Sequence, residues 1–344
     1  MKKIEFKSML VSIILVLLIY YFYTPALNIH AIEFWIFIIV ALCIYGASTS
    51  YSTLLGKKFK PEKVGYLGAA VALIVAGVLV TDLFTSKIFH ASRYASRIEV
   101  ENVKFNNKTL HEVDFSKTPI IDRKSTVKLG DKVMGEIPEY VSQFEVSDDY
   151  TQISYKNSVY RVTPLEYASF FKYLTNSKNG IPAYITVNST NGKAEIVKLK
   201  DLGLNGMKYV PSAILNHNLN RKLQLSYPTS IFGSPSFEVD EKGHPWYVCT
   251  TYTYFGVSNK KKVTGAVLFD PITGKSKKYD KDKVPKWVDR VYPEELIMTE
   301  IDENGSLQDG FFNSVLGQKN VTVTSEGYNY LEKDGDIWIY SGIT

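Results

Sequence analysis

VGYLGAAVALIVAGVLVTDLF, residues 64–84, decides the architecture. The stretch carries one charge, Asp82, and that lies close to its end. An α-helix rises about 1.5 Å per residue, so about 20 apolar residues cross the roughly 30 Å of bilayer hydrocarbon. This stretch has that length outright. Two further apolar runs precede it, at about Met9–Leu27 and Ile32–Ser48. The second is near the lower length limit, and Pro25 finishes or kinks the first. The sequence therefore predicts three transmembrane helices (about 9–27, 32–48 and 64–84) in a membrane domain over residues 1–89. A cleavable signal peptide is the rival for the first run, which has the basic start Lys2, Lys3 and Lys7. No small-x-small cleavage site follows, and Tyr20, Tyr21, Phe22 and Tyr23 look instead like an interfacial aromatic belt.

Charge predicts the orientation. Lysines cluster at the N-terminus and again at Lys57, Lys58, Lys60 and Lys63, whereas the loop between the first two runs has no Lys or Arg. The positive-inside rule places both basic segments in the cytoplasm and everything after Phe84 outside it. The third run also carries Gly68, Ala72 and Ala76 at four-residue spacing, a flat face on which another helix can pack closely, within the bundle or between protomers. Small residues are common in membrane helices for other reasons too. Glu33 and Asp82 lie near helix ends, where water can solvate them, and read as interfacial charges before any proton relay.

The chain carries 40 basic and 35 acidic residues, and residues 1–89 hold eight and four of them. The remainder, with 32 basic and 31 acidic residues, is nearly neutral. A nucleic-acid binder needs a concentrated basic face, so no nucleic-acid partner is expected. Cys43 lies in an apolar run and Cys249 stands alone in the rest, so no disulfide staples that part. Its roughly 250 residues give room for one or two cores.

Beyond residue 89 the sequence reads as α+β: repeated units of a helix followed by an antiparallel meander. Residues 90–125 form a stalk, 126–210 a first unit, 211–283 a second, and 284–344 a third, incomplete unit. The clearest helix signal is Thr163-Pro164-Leu165-Glu166, a capping box with Pro at the first helical position, followed by apolar Ala168, Phe171 and Leu174. Helices are also expected at about Ser212–Leu225 and Pro285–Met298. Hairpins are expected around Lys156-Asn157, Thr190-Asn191-Gly192, Asp240–Gly243, Pro271–Gly274 and Lys333-Asp334-Gly335. A strand is expected at Val321–Thr324. Two motif pairs echo between the first two units. Gly180-Ile181-Pro182-Ala183-Tyr184-Ile185 matches Gly243-His244-Pro245-Trp246-Tyr247-Val248, and Asn191-Gly192-Lys193 matches Thr273-Gly274-Lys275.

The run Val267-Leu268-Phe269-Asp270-Pro271-Ile272-Thr273-Gly274-Lys275 resembles the closing hairpin of PepSY-type domains. The resemblance covers about residues 211–280 and extends to 164–200. It implies small α/β modules that bind and restrain partners and do not catalyse. The remainder resembles membrane-anchored proteins of Gram-positive bacteria, which implies a location in the cell envelope.

Residues arranged for chemistry are few. No two of His30, His90, His111, His217 and His244 stand at helix-ligand spacing. Asp302-Glu303-Asn304-Gly305 lacks the alternating ligands of a calcium loop and reads as a hairpin or helix-end turn. Ser125-x-x-Lys128 lacks the companion motifs of penicillin-interacting enzymes. Cys249 and His244 fall on opposite faces of a strand, and Cys249 reads as a buried structural residue. Alternation puts Trp246, Tyr252 and Tyr254 on one face, a candidate surface for glycan or peptide, although aromatics also favour strands simply to pack. The expectation is a non-enzymatic envelope protein that needs no cofactor. It is expected to sit in the lipid bilayer and to bind a protein, peptide or wall ligand, or a second copy of itself. The alternative is an accessory subunit of a secretion or transport complex acting through its helices.

Overall fold

The computed structural model describes residues 2–54, 61–104, 118–156, 158–325, 327–333 and 336–344. Lys57, Lys58 and Lys60, His111, Asn157 and Asp334-Gly335 lie outside the described residues. The chain forms two compact units. The first takes residues up to His90 together with Leu223–Ile231 and Tyr252–Lys262, and the second takes the rest.

Three helices make up most of the first unit: α1 (Lys2–Tyr23), α2 (Ile32–Leu54) and α3 (Pro61–Phe84). Two of them contain spans long and apolar enough to cross a membrane, Ile32–Ser50 and Val64–Phe84. The apolar part of α1, Met9–Tyr23, is shorter. Tyr20 packs on Phe37 with ring centroids 5.8 Å apart. Gly46 faces Leu67, and a β-carbon there would stand 3.3 Å from the leucine. At one end of the helices, polar groups hold the two outlying segments. Leu27 donates its N–H to Pro228 O at 2.7 Å, and His30 Nδ1 lies 2.7 Å from Gly256 O. Asp82 accepts the N–H of Val257 at 3.1 Å, and Asn259 donates to Asp82 O at 2.7 Å. Asp82 is therefore a hydrogen-bond anchor for a loop, beyond the solvated charge that sequence alone suggests.

The second unit is built around two sheets. The helices α5 (Arg123–Gly135) and α6 (Pro138–Val141) precede β1 (Phe144–Val146), β2 (Thr151–Tyr155) and β3 (Ser158–Tyr167). Then come α7 (Phe170–Asn176), β4 (Ala183–Asn188) and β5 (Ala194–Lys198). The sheet order is β1-β3-β4-β5, with β2 also pairing β3. The long strand β3 takes β2 along Ser158–Val162 and β1 along Leu165–Tyr167. The second sheet follows α8 (Leu219–Ser226) and comprises β6 (Ile231–Phe232), β7 (Ser236–Val239), β8 (Pro245–Thr253), β9 (Lys262–Phe269) and β10 (Ser276–Asp280). Its order is β10-β9-β8-β6, with β7 also pairing β8. Phe237 and Tyr247 stack edge to face, and Phe237 also packs on Tyr184 of the first sheet at 5.7 Å.

The closing turns of the two sheets share their backbone bonds, and each adds a threonine hydroxyl from a different position. Asn188 Oδ1 accepts the N–H groups of Thr190 and Asn191 and the Thr190 hydroxyl. Asp270 accepts the N–H groups of Ile272 and Thr273 and the Thr273 hydroxyl. The N–H of Gly192 returns to Asn188 O and that of Gly274 to Asp270 O, both at 2.9 Å. Both glycines have positive φ, +74° and +72°, where a side chain is strained. The other motif pair falls at unlike places: Gly180-Ile181-Pro182 leads into β4, whereas Gly243-His244-Pro245 leads into β8.

Several local readings are corrected. Thr163–Glu166 is not a helix start, because β3 runs on to Tyr167 and α7 begins at Phe170 with Ser169 as its cap. Pairing with β1 and β4 buries Thr163 and Leu165 and overrides the local cap signal. The helix expected at Ser212–Leu225 divides into a 3-10 turn, Leu215–His217, and α8. Asn218 divides them, since its side chain accepts the Arg221 N–H and donates to Pro211 O and Ala213 O. The last long helix, α9 (Glu294–Leu307), starts nine residues later than expected and contains Asp302–Gly305 in its interior. Val321–Thr324 is not a strand: Thr324 makes one isolated bridge to Ile343. Helix α4 (Lys87–Ala95) crosses the expected boundary between membrane domain and stalk and breaks helical geometry at His90. Helix α5, which begins within the expected stalk, is capped by Asp122 accepting the Ser125 N–H. The chain closes with the hairpin β11 (Asn329–Lys333) and β12 (Asp336–Tyr340).

Candidate ligand face of the second sheet

Side-chain alternation gives β7 and β8 two faces. Phe237 and Tyr247 point to the first sheet, while Ser236, Glu238, Trp246 and Val248 point the other way. The outward side carries an apolar cluster of Val248, Ala266, Leu268 and Val288, flanked by Trp246, Tyr279, Val284, Trp287 and Val291. Three of those flanking residues, and Val288 itself, come from the irregular segment after β10.

That segment is pinned by polar groups at its back. Glu238 is fully buried, and its carboxylate accepts the N–H of Asp289 at 3.0 Å and of Arg290 at 3.1 Å. Thr250 donates its hydroxyl to Val291 O at 3.0 Å, and Asp289 accepts the Ser154 N–H at 2.7 Å. Burial pushes the Glu238 carboxyl up to about 7, against the opposing pull of those two N–H groups, Ser236 and the Arg290 charge. These anchors seat Trp287 beside Trp246, ring centroids 6.0 Å apart and planes 40° from parallel.

The β7–β8 turn completes the face. His244 stacks on Trp246 at 5.1 Å. Its Nε2 lies 3.5 Å from Asp270 Oδ1, and Trp246 donates its indole N–H to Asp240 at 3.3 Å. Burial raises the Asp270 carboxyl, but His244, the Thr273 hydroxyl and two backbone N–H groups outweigh burial and hold it at about 2. Lys277 stands 4.8 Å above the Tyr279 ring. The result is a pair of half-buried tryptophans, with the Asp240 carboxylate beside Trp246, Asp270 beside His244, and Lys277 over Tyr279.

Trp246 belongs to the second compact unit, and Tyr252 and Tyr254 belong to the first. Six residues along a strand separate Trp246 from Tyr252, about 20 Å. Tyr252 is buried, with the Lys261 ammonium 4.4 Å from its ring centre. Tyr254 lies beyond the end of β8, and burial together with the Glu33 charge raises its phenol pKa. Trp246 finds its aromatic partner in Trp287, 41 positions on, a pairing that spacing could not announce. Cys249 is fully buried and its thiol is pushed up by burial. His244 is engaged instead with Asp270 and Trp246. Ser125 donates its hydroxyl to its cap residue Asp122 at 3.0 Å. Gly68, Ala72 and Ala76 are exposed along α3, and a β-carbon at Gly68 would meet nothing within 4 Å. Among the described residues no three His, Cys, Asp or Glu side chains gather as a metal site would require.

No family model matches the chain, and neither a curated protein nor a solved structure does.

Proposed function

We propose that this chain is a multi-pass envelope protein whose exported PepSY-like units bind a protein, peptide or wall ligand without catalysis. Three helices anchor it, with the N-terminus in the cytoplasm and the sheets outside. The observation that carries the reading is the Trp246–Trp287 face. Its aromatic floor is fixed from below by a buried carboxylate and left half open above. Rigid aromatics with one open side bind at low entropic cost. The repeat reading draws support from the strand orders, in which β1 to β5 take the places of β6 to β10, and from the matching closing turns.

A reporter fused after Thr344 is expected to be active only outside the cytoplasm. The full chain carrying Trp246→Ala and Trp287→Ala is expected to retain at least tenfold less envelope material on purification from native membranes. Reporter activity confined to the cytosol, undiminished retention, or hydrolysis of peptidoglycan by the purified chain would end this reading.

A second reading makes the chain an accessory subunit of a membrane secretion or transport complex. It is favoured by the Gly68, Ala72 and Ala76 face, which is exposed in the single chain. Leucine at all three positions is expected to abolish co-purification of a membrane partner while leaving insertion intact. Unchanged co-purification would count against it.

A further inference from the structure

We propose that the short π-helix after α9 is a lipid-contact element, which inserts into the surface of the bilayer that the chain itself spans. The inference rests on the multi-pass reading of the apolar helices. The π-helix takes Asn313–Gly317. Phe312, Val315 and Leu316 fall within five positions and are 66%, 54% and 79% exposed. Phe311, just before them, turns inward and packs on the small core of Tyr94, Ala95 and Leu307, as Ala91 does. The tip is therefore a cluster of large apolar side chains, presented outward from a fixed base.

Three observations favour lipid as the occupant. The first is where the base is tied. Arg97 pairs with Glu300 and Glu303, and Asn304 donates to Ala95 O, so α9 is clamped to residues 91–97. Ala91 stands seven positions after Phe84, the last residue of the Val64–Phe84 span. Seven residues reach at most about 25 Å even when fully extended. The link itself is apolar at its surface, since Phe84, Ile88 and Phe89 are exposed. The second observation is how the turn satisfies its polar groups. A loop that enters an apolar layer finds no partners there and must supply its own. Asn313 O accepts the Gln318 N–H at 2.6 Å, and the Asn313 side chain donates to Lys319 O at 2.9 Å and accepts the Lys319 N–H at 3.3 Å. The Ser314 hydroxyl donates to Phe311 O at 2.7 Å. One asparagine thus closes the turn behind the apolar tip. The third is charge. Between Gly310 and Gln318 there is no ionisable side chain, so no charge is stripped of water when these residues sink among the headgroups.

The test uses the full chain carrying Cys43→Ala, with the environment-sensitive fluorophore NBD attached at Leu316→Cys, in phosphatidylcholine–phosphatidylglycerol vesicles. Cys249 is buried and does not compete for the label. Flotation with the vesicles reads the parent assignment first: a chain left behind fails the multi-pass reading, and this proposal with it. In the floated chain, lipids bearing a nitroxide near the headgroup are expected to quench NBD at least twofold, and aqueous iodide is expected to quench it little. Phe312→Ser with Val315→Ser is expected to remove most of the nitroxide quenching, with flotation and the unfolding midpoint unchanged. Quenching by iodide but not by nitroxide lipid overturns the proposal, as does nitroxide quenching that survives in the double variant. Protection from both quenchers overturns it too, and protection that grows with the protein-to-lipid ratio would assign the tip to a second copy of the chain.

Discussion

Replacing Arg97 with alanine is expected to cost the folded chain about 3–5 kcal/mol, read as the loss in an equilibrium unfolding experiment. Arg97 lies between two carboxylates, 2.6 Å from Glu303 and 3.0 Å from Glu300. Its side chain is 5% exposed, and those of the glutamates 6% and 12%. Removing the guanidinium leaves two negative charges in a dry place four angstroms or less from where their partner stood. The surroundings add to the effect. Asn304 donates to Ala95 O at 2.8 Å, and Tyr94, Ala95 and Leu307 form a small core with Ala91 and Phe311 beside it. The loss should therefore loosen α9 from residues 91–97, visible as faster amide exchange in α9. A companion variant separates charge from packing. Arg97→Met with Glu300→Leu and Glu303→Leu is expected to recover most of the lost stability, because apolar groups of similar volume replace a buried ion triad at little net cost. Recovery absent in the triple variant, with the single variant as stable as the parent, would refute the account.

The second large effect is at Glu238. Alanine there leaves the N–H groups of Asp289 and Arg290 without their acceptor, and each buried orphan costs about 1–3 kcal/mol. A total of about 3–5 kcal/mol is expected near pH 5, together with a red-shifted tryptophan emission as Trp287 becomes wetter. The same carboxyl sets a pH dependence. Its folded-state pKa of about 7 lies above the unfolded value near 4.5, so the folded state holds the extra proton between those values. Stability contributed by this group is therefore present below about pH 4.5 and is lost as pH rises to 7, by up to about 3 kcal/mol. Glu166, pushed by burial to about 6, acts with the same sign. Asp270 acts the other way, since its value of about 2 means stability lost as pH falls from about 4 toward 2. The melting temperature should peak between pH 4 and 5, and Glu238→Gln should flatten the fall on the alkaline side. A melting temperature that rises from pH 5 to pH 7 would show that burial does not dominate at Glu238.

The two hairpin turns of the second sheet were legible in sequence, because alternation and turn chemistry act over a few neighbours, whereas the short edge strand β6 was not. Asp240–Gly243 and Pro271–Gly274 fix where β7 and β9 stop and where β8 and β10 start. The apolar spans were legible for a similar reason: bilayer thickness sets a length that can be counted. The misreadings arose where a distant partner decided the local form. Thr163-Pro164-Leu165-Glu166 is a sound capping signal, but strands β1 and β4 were competing for the same backbone. Residues 285–292 have the polarity of a helix start, yet Glu238 takes two of their N–H groups from a strand fifty positions earlier. Helix α5 went unseen because it buries Thr126, Gly130 and Met134, which make no clean apolar stripe. Half of the candidate face, Trp246, was visible, while Trp287 and the carboxylate behind it become neighbours only on folding.

The paired closing turns also bear on how such a protein would age under mutation. Each needs an oxygen acceptor in its first place and a missing β-carbon in its fifth. The letters between are free to drift, as Ser-Thr-Asn against Pro-Ile-Thr already illustrates. Shape of this kind costs a lineage very little written information to keep. Descent could therefore stay legible in bond patterns long after it has faded from the alphabet.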